Sequence, residues 1–150
     1  MEGDGDGSQE EGRVGTWDMS SFGNDTACDW SYGLEEVDNL SYVESTLDAV
    51  LAAGPGGNVA AEAAECAVAA AEVIARLKGN WGIENSYSET TDKWVRSHRL
   101  TPPPALVAKA VAALERIVVA PSDLLELWQE GEDDGGWVEA VVELKARVSG

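Results

Sequence analysis

Apolar side chains recur with a helical period along most of this chain. Ala27, Trp30 and Leu34 stand at i, i+3 and i+7, the spacing of a single helix face. Asn24 and Asp25 precede them, and both residue types suit a helix N-terminus through capping and the helix dipole. Asp25 and Asp29, four apart, share the opposite flank. Ser41-Tyr42-Val43-Glu44, set between Leu40 and Leu47, has the form of a capping box and predicts a second helix reaching Ala52 or Ala53. Gly54-Pro55-Gly56-Gly57 is expected to stop it in a flexible turn.

Residues 59–78 carry the strongest helical signal. They are dense in Ala, Val, Ile and Leu, and the charges Glu62, Glu65, Glu72 and Arg76 fall on one narrow stripe. A helix apolar round most of its girth is a central one, and Gly79 is a natural stop. A short helix is expected around residues 89–98. Thr101-Pro102-Pro103-Pro104 then starts a largely buried helix through Leu106, Val107, Ala110, Val111, Leu114, Ile117 and Val118. Pro121-Ser122-Asp123 ends that helix and caps a shorter one from Leu124 to about Gln129. After a loop over residues 131–136, Trp137, Val138, Val141, Val142, Leu144 and Val148 define a last amphipathic helix. No segment sustains a two-residue alternation, although Ile117-Val118-Val119 locally favours strand, and no solenoid-like repeat is present. The expected fold is all-α, a single domain of about five to seven helices.

The N-terminus reads differently. Residues 1–12 hold five acidic side chains, four glycines and no base, too little apolar surface to offset the entropy of ordering. A disordered acidic tail over residues 1–13 is therefore expected, with the helical domain spanning 14–150. Between Val14 and Asp25, large apolar residues alternate with turn formers. This predicts an irregular but ordered lead-in, with Trp17 and Phe22 as its anchors or as the lining of a groove.

Composition narrows the function. The chain has 150 residues, 44% of them hydrophobic, which is ordinary for a globular domain with its own core. Its net charge is −18, and −13 without the five carboxylates of the tail. Phosphate binding needs clustered Lys and Arg, so nucleic acid and anionic membranes are poor partners. No apolar run approaches the length of a membrane span. The first residues lack the basic and apolar segments of a secretory leader, so a cytoplasmic location is expected. Cys28 and Cys66 are too few for a disulfide scaffold or a closed zinc site. Two buried reduced thiols are expected, with a bridge between them as the alternative.

Candidate chemistry is sparse. Asp18, Asn24, Asp25 and Asp29 put three carboxylates and an amide within twelve residues, a group that a divalent cation such as calcium or magnesium would accept. The competing reading gives them local roles, as helix cap, dipole partner and turn former. His98 is the only histidine, so a two-histidine zinc motif is impossible, and no Gly-x-Ser-x-Gly elbow or phosphate loop is present. Lys93, Arg96, His98 and Arg99, with Trp94 among them, form the only basic patch. The remaining signal is the acidity itself, which steers towards basic partners. The expectation is a non-enzymatic protein-interaction domain, of the immunity, antitoxin or regulatory kind, with Glu62, Glu65 and Glu72 as its contact stripe. The alternative is a cation-binding protein or hydrolase using Asp18, Asp25 and Asp29. A monomer or a small homo-oligomer with Trp128 or Trp137 at its interface is also expected.

Gly15-Thr16-Trp17-Asp18, then Phe22-Gly23-Asn24-Asp25, then Ala27 and Asp29-Trp30, resemble the opening of a bacterial family of domains of unknown function, family 4259. Its members typically begin with Gly-(Thr/Ala)-Trp-Gly and continue through Phe-x-Asn-Asp into a helix bearing an Asp-Trp or Asp-Phe pair. The Ala-rich stretch Ala70 to Ala75, Trp94-Val95, Leu124 to Trp128 and the closing Trp137 helix are similar as well. Asp18 stands where Gly is usual, and a tail of about a dozen residues precedes the shared opening. The resemblance implies a small helical domain and carries no activity, cofactor or catalytic residue.

Overall fold

The computed structural model describes residues 25–82, 88–130 and 134–150. The acidic tail and the lead-in, with Trp17, Asp18, Phe22 and Asn24, lie outside the described residues, as do the side chains of Asp25 and Cys28.

Among the described residues seven helices follow one another: α1 Asp25–Leu34, α2 Ser41–Leu51, α3 Ala61–Leu77, α4 Glu89–Ser97, α5 Pro104–Ile117, α6 Asp123–Gln129 and α7 Asp134–Ser149. No strand occurs among the described residues. An isolated bridge pairs Val59 with Ser122 and ties the α2–α3 loop to the α5–α6 loop. No described helix is long and apolar enough to cross a membrane.

Helix α3 is the axis of the domain, as its composition requires. It packs against all six other helices. Ala64, Ala67, Ala69, Ala70, Ala71 and Ala75 are buried along it, with Val73 and Ile74 between them. Small side chains let neighbouring backbones approach on every side, and the larger Leu47, Leu114, Ile117, Leu144 and Val148 of the surrounding helices fill what remains. Gly79 ends the helix with φ +89°, a left-handed conformation that a Cβ would disfavour.

Ala27, Trp30 and Leu34 are buried on one face of α1. Trp30 stacks on Tyr42 at 5.0 Å between ring centroids, and its indole N–H donates to Thr46 Oγ1 at 2.8 Å. Pro104 opens α5 at its first turn, where a missing N–H leaves no bond unmade. Ser122 caps α6 by accepting from the Leu125 N–H at 3.4 Å.

The structure corrects several sequence expectations. The capping box at α2 does not form. Ser41 Oγ instead donates to Asn39 Oδ1 at 2.6 Å, and Glu44 pairs with Lys109 of α5 at 2.7 Å. The glycine-rich turn after α2 is held rather than flexible, because Arg116 donates from Nε to the Gly54 carbonyl at 3.1 Å and from Nη2 to that of Gly57. Helix α7 begins at Asp134, inside the stretch expected to be a loop. Val142, expected on its inward face, is exposed. Trp128 and Trp137 do not offer an oligomer interface. Both are buried within the chain, stacked on each other at 6.3 Å and 4°, and they fasten α6 to α7.

Candidate functional site

The charged stripe of α3 separates into an exposed start and a buried remainder. Glu62 is exposed, whereas Glu65, Glu72 and Arg76 are buried. The stripe is therefore not an open contact surface, and Glu72 has a structural occupation. Arg76, one turn on, pairs with Glu72 and holds Asp92 of α4 through Nε at 2.8 Å. From α7, Arg147 clamps the same Glu72 with two hydrogen bonds, of 2.8 and 3.0 Å. Ser88 Oγ donates to the other Asp92 oxygen at 2.8 Å. Two carboxylates and two guanidiniums thus balance in a low-dielectric interior, which buried charges require. Burial by itself would lower the Arg147 pKa, but its hydrogen bonds to Glu72 and Glu143 outweigh that and raise it. Gly82 lies against the Arg147 guanidinium, 2.6 Å from where its Cβ would be, so any larger residue there displaces the clamp.

The exposed face lies on α1 and the start of α3. Tyr32 is 59% exposed, the only large exposed aromatic among the described residues. Asp29 stands one turn before it, and Glu35 and Glu36 follow in the turn that leaves α1; all three are exposed. Glu62 belongs to the same neighbourhood. Cys66 shows this, because its thiol is pushed up to about 11 by burial first and then by Glu65, Glu62 and Asp29. Cys66 is a free thiol, and at this pKa it stays protonated near neutral pH and is a poor nucleophile. Asp29 and Glu62, placed by sequence in two different hypotheses, thus both act on Cys66. Among the described residues no three His, Cys, Asp or Glu side chains are placed to hold a metal ion. Asp18 and the Asp25 side chain, the other two members of the cation hypothesis, lie outside the described residues.

The basic patch is divided by α4. Lys93 faces outward and pairs loosely with Glu89 at 3.4 Å. Arg96 lies over the Trp81 ring at 4.8 Å. His98 stacks on Trp94 at 4.4 Å, with Nε2 3.0 Å from Asp38 Oδ1 and Nδ1 2.9 Å from the Trp94 carbonyl. The Asp38 hydrogen bond first, and then the Trp94 carbonyl, raise the His98 pKa above its ordinary 6.5. The contact's contribution to stability is complete below about pH 6.5 and is lost as pH rises through the raised folded-state value. As His98 is the only histidine, its NMR titration is unambiguous. Its midpoint should lie above 6.5 and fall towards it in Asp38→Asn; an unchanged midpoint in the variant would remove Asp38 as the cause.

Tyr32 and the Trp81 neighbourhood were missed by sequence reasoning. Tyr32 had a usable signal: it lies two residues after inward-facing Trp30, about 200° round the helix, on the flank of Asp29. No curated protein and no solved structure matches the chain. The domain of unknown function DUF4259 matches over residues 15–140, which includes all of α1 through α6 and the start of α7, and the chain belongs to that family.

Proposed function

We propose that this chain is a non-enzymatic, acidic protein-interaction domain of the immunity or regulatory kind. It acts in the cytoplasm and engages a basic protein through the face centred on Tyr32. The observation that carries this reading is an exposed tyrosine among Asp29, Glu35 and Glu36, with Glu62 exposed at the start of α3, on a chain of net charge −18. Tyrosine is enriched among the residues that dominate interface energies, since it buries a large rigid ring and keeps a polar tip. A surrounding set of carboxylates speeds encounter with a cationic surface and rejects anionic ones. Glu65 and Glu72 leave the contact set because they are buried, and Glu62 stays in it.

The test is capture of partners from the native lysate at low salt, with elution by a salt gradient and mass spectrometry. The control is Tyr32→Ala with Asp29→Asn and Glu36→Gln, all at exposed positions. One stoichiometric basic protein should elute from the unaltered chain, and its affinity for the control should fall about tenfold or more. Recovery of the same proteins from both would contradict the assignment of this face.

A further inference from the structure

We infer that His98 is a proton-operated latch, whose imidazolium fastens the turn between α1 and α2 to the end of α4 and whose neutral ring loosens it. His98 is the residue that caps the C-terminus of α4. Its Nε2 lies 3.0 Å from Asp38 Oδ1 in the turn, and its Nδ1 lies 2.9 Å from the Trp94 carbonyl oxygen. An ionised carboxylate and a carbonyl oxygen are acceptors only. A neutral imidazole carries one N–H, so only the protonated ring donates to both neighbours. The ring also lies flat on Trp94, with 4.4 Å between centroids and 14° between planes, and an aromatic face attracts a cation. Trp94 is buried, so this platform is fixed.

Loss of the proton leaves one ring nitrogen bare against an oxygen. If Nδ1 keeps its proton, Nε2 meets the Asp38 carboxylate lone pair to lone pair, and the turn is released. If Nε2 keeps it, Nδ1 needs a donor. Ser97 Oγ, 3.1 Å away, can serve only by giving up its bonds to the Lys93 and Trp94 carbonyls. The Asp38 contact then persists without its ion pair. Both routes weaken the fastening. Asp38 is the charged group that acts on the ring from another element, and Lys93, Arg96 and Arg99 are the cations on the ring's own stretch of chain. The Asp38 carboxylate is otherwise in solvent, so its release buries no charge and the latch is reversible. It closes in acid and opens as pH rises through the raised folded-state value. The turn keeps a second hold, because the Trp94 indole N–H donates to the Val37 carbonyl at 2.8 Å. Glu35 and Glu36 of the face proposed above sit in this turn, but the latch stands without that reading.

The test is NMR hydrogen exchange at the Trp94 indole N–H and at the Val37 amide, which donates to the Leu34 carbonyl. The full-length chain is followed from about pH 5.5 to about pH 8.5, a span that brackets histidine titration. Each rate is divided by that of an unstructured peptide at the same pH. The Trp30 indole N–H, held by Thr46, is the internal reference. Protection at Trp94 and Val37 should fall about threefold as pH rises, the scale of an exposed ion pair. The step should share its midpoint with the His98 ring, and Trp30 should stay level. His98→Gln keeps a donor that does not titrate, so its profile should be flat, and Asp38→Asn should be flat as well. No step in the unaltered chain, or a step that survives in His98→Gln, overturns the latch. A step that survives in Asp38→Asn alone overturns Asp38 as its other half. An equal step at Trp30 overturns it too, since pH would then be loosening the whole of α1.

Discussion

Arg76→Met is expected to lower the unfolding free energy by about 3–5 kcal/mol, the range for removing one member of a buried charge cluster. Met retains much of the side-chain volume, so little of the loss arises from a cavity. The loss comes instead from Asp92, 4% exposed, which keeps Ser88 Oγ as a donor but loses its guanidinium. Glu72 suffers less because Arg147 still clamps it. Arg76→Met combined with Asp92→Leu should therefore be less destabilised than Arg76→Met alone, a coupling that a double-mutant cycle measures directly. Urea denaturation followed by circular dichroism supplies the free energies. A loss below about 1 kcal/mol in the single variant would mean that water reaches the cluster and screens it.

Ile74→Ala should cost about 4 kcal/mol, towards the upper part of the range for large-to-small core changes. Ile74 is fully buried in the second half of α3, the helix that every other helix packs against. Closing the resulting cavity would require several helices to move together, so little relaxation is available to offset it. Val119→Ala is the matched comparison, because Val119 is half exposed and its loss should stay within about 0.5 kcal/mol. Similar losses for the two would mean that α3 is not the packing axis.

The helices were legible because each carries its own local signal. The Ala27-Trp30-Leu34 face, the proline start of α5 and the Ser122 cap are all written within a few residues of the structure they make. The central position of α3 was legible for the same reason, since a helix apolar on nearly all sides has nowhere else to go. The fate of its charges was not. Spacing places Glu62, Glu65, Glu72 and Arg76 on one stripe, but it cannot distinguish a solvated stripe from a buried one. The partners that decide the matter are Asp92, 16 residues beyond Arg76, and Arg147, 75 residues beyond Glu72. The same distance dependence hid the Trp128–Trp137 stack and the bracing of the Gly54 turn by Arg116. At α2 the local signal was present, but Asn39 competed successfully for the Ser41 hydroxyl and Lys109 for the Glu44 carboxylate.

The candidate face was half legible. Acidity pointed to a basic partner, and Glu62 of the expected stripe is exposed at the start of α3. Tyr32 was overlooked because the apolar period drew attention to the residues that point inward. Interaction sites are found among the exceptions to that period, where a large side chain stays in solvent without a packing reason.

The most direct test of the central claim is photo-cross-linking in the native cell from a benzophenone amino acid placed at Tyr32, with Val119, which is also half exposed, as the comparison site. Position 32 is expected to give one discrete adduct with a basic protein, absent from position 119 and lost when Asp29→Asn and Glu36→Gln are added. The same adducts from both positions, or an adduct at 32 that persists without those carboxylates, would contradict an acidic interaction face centred on Tyr32.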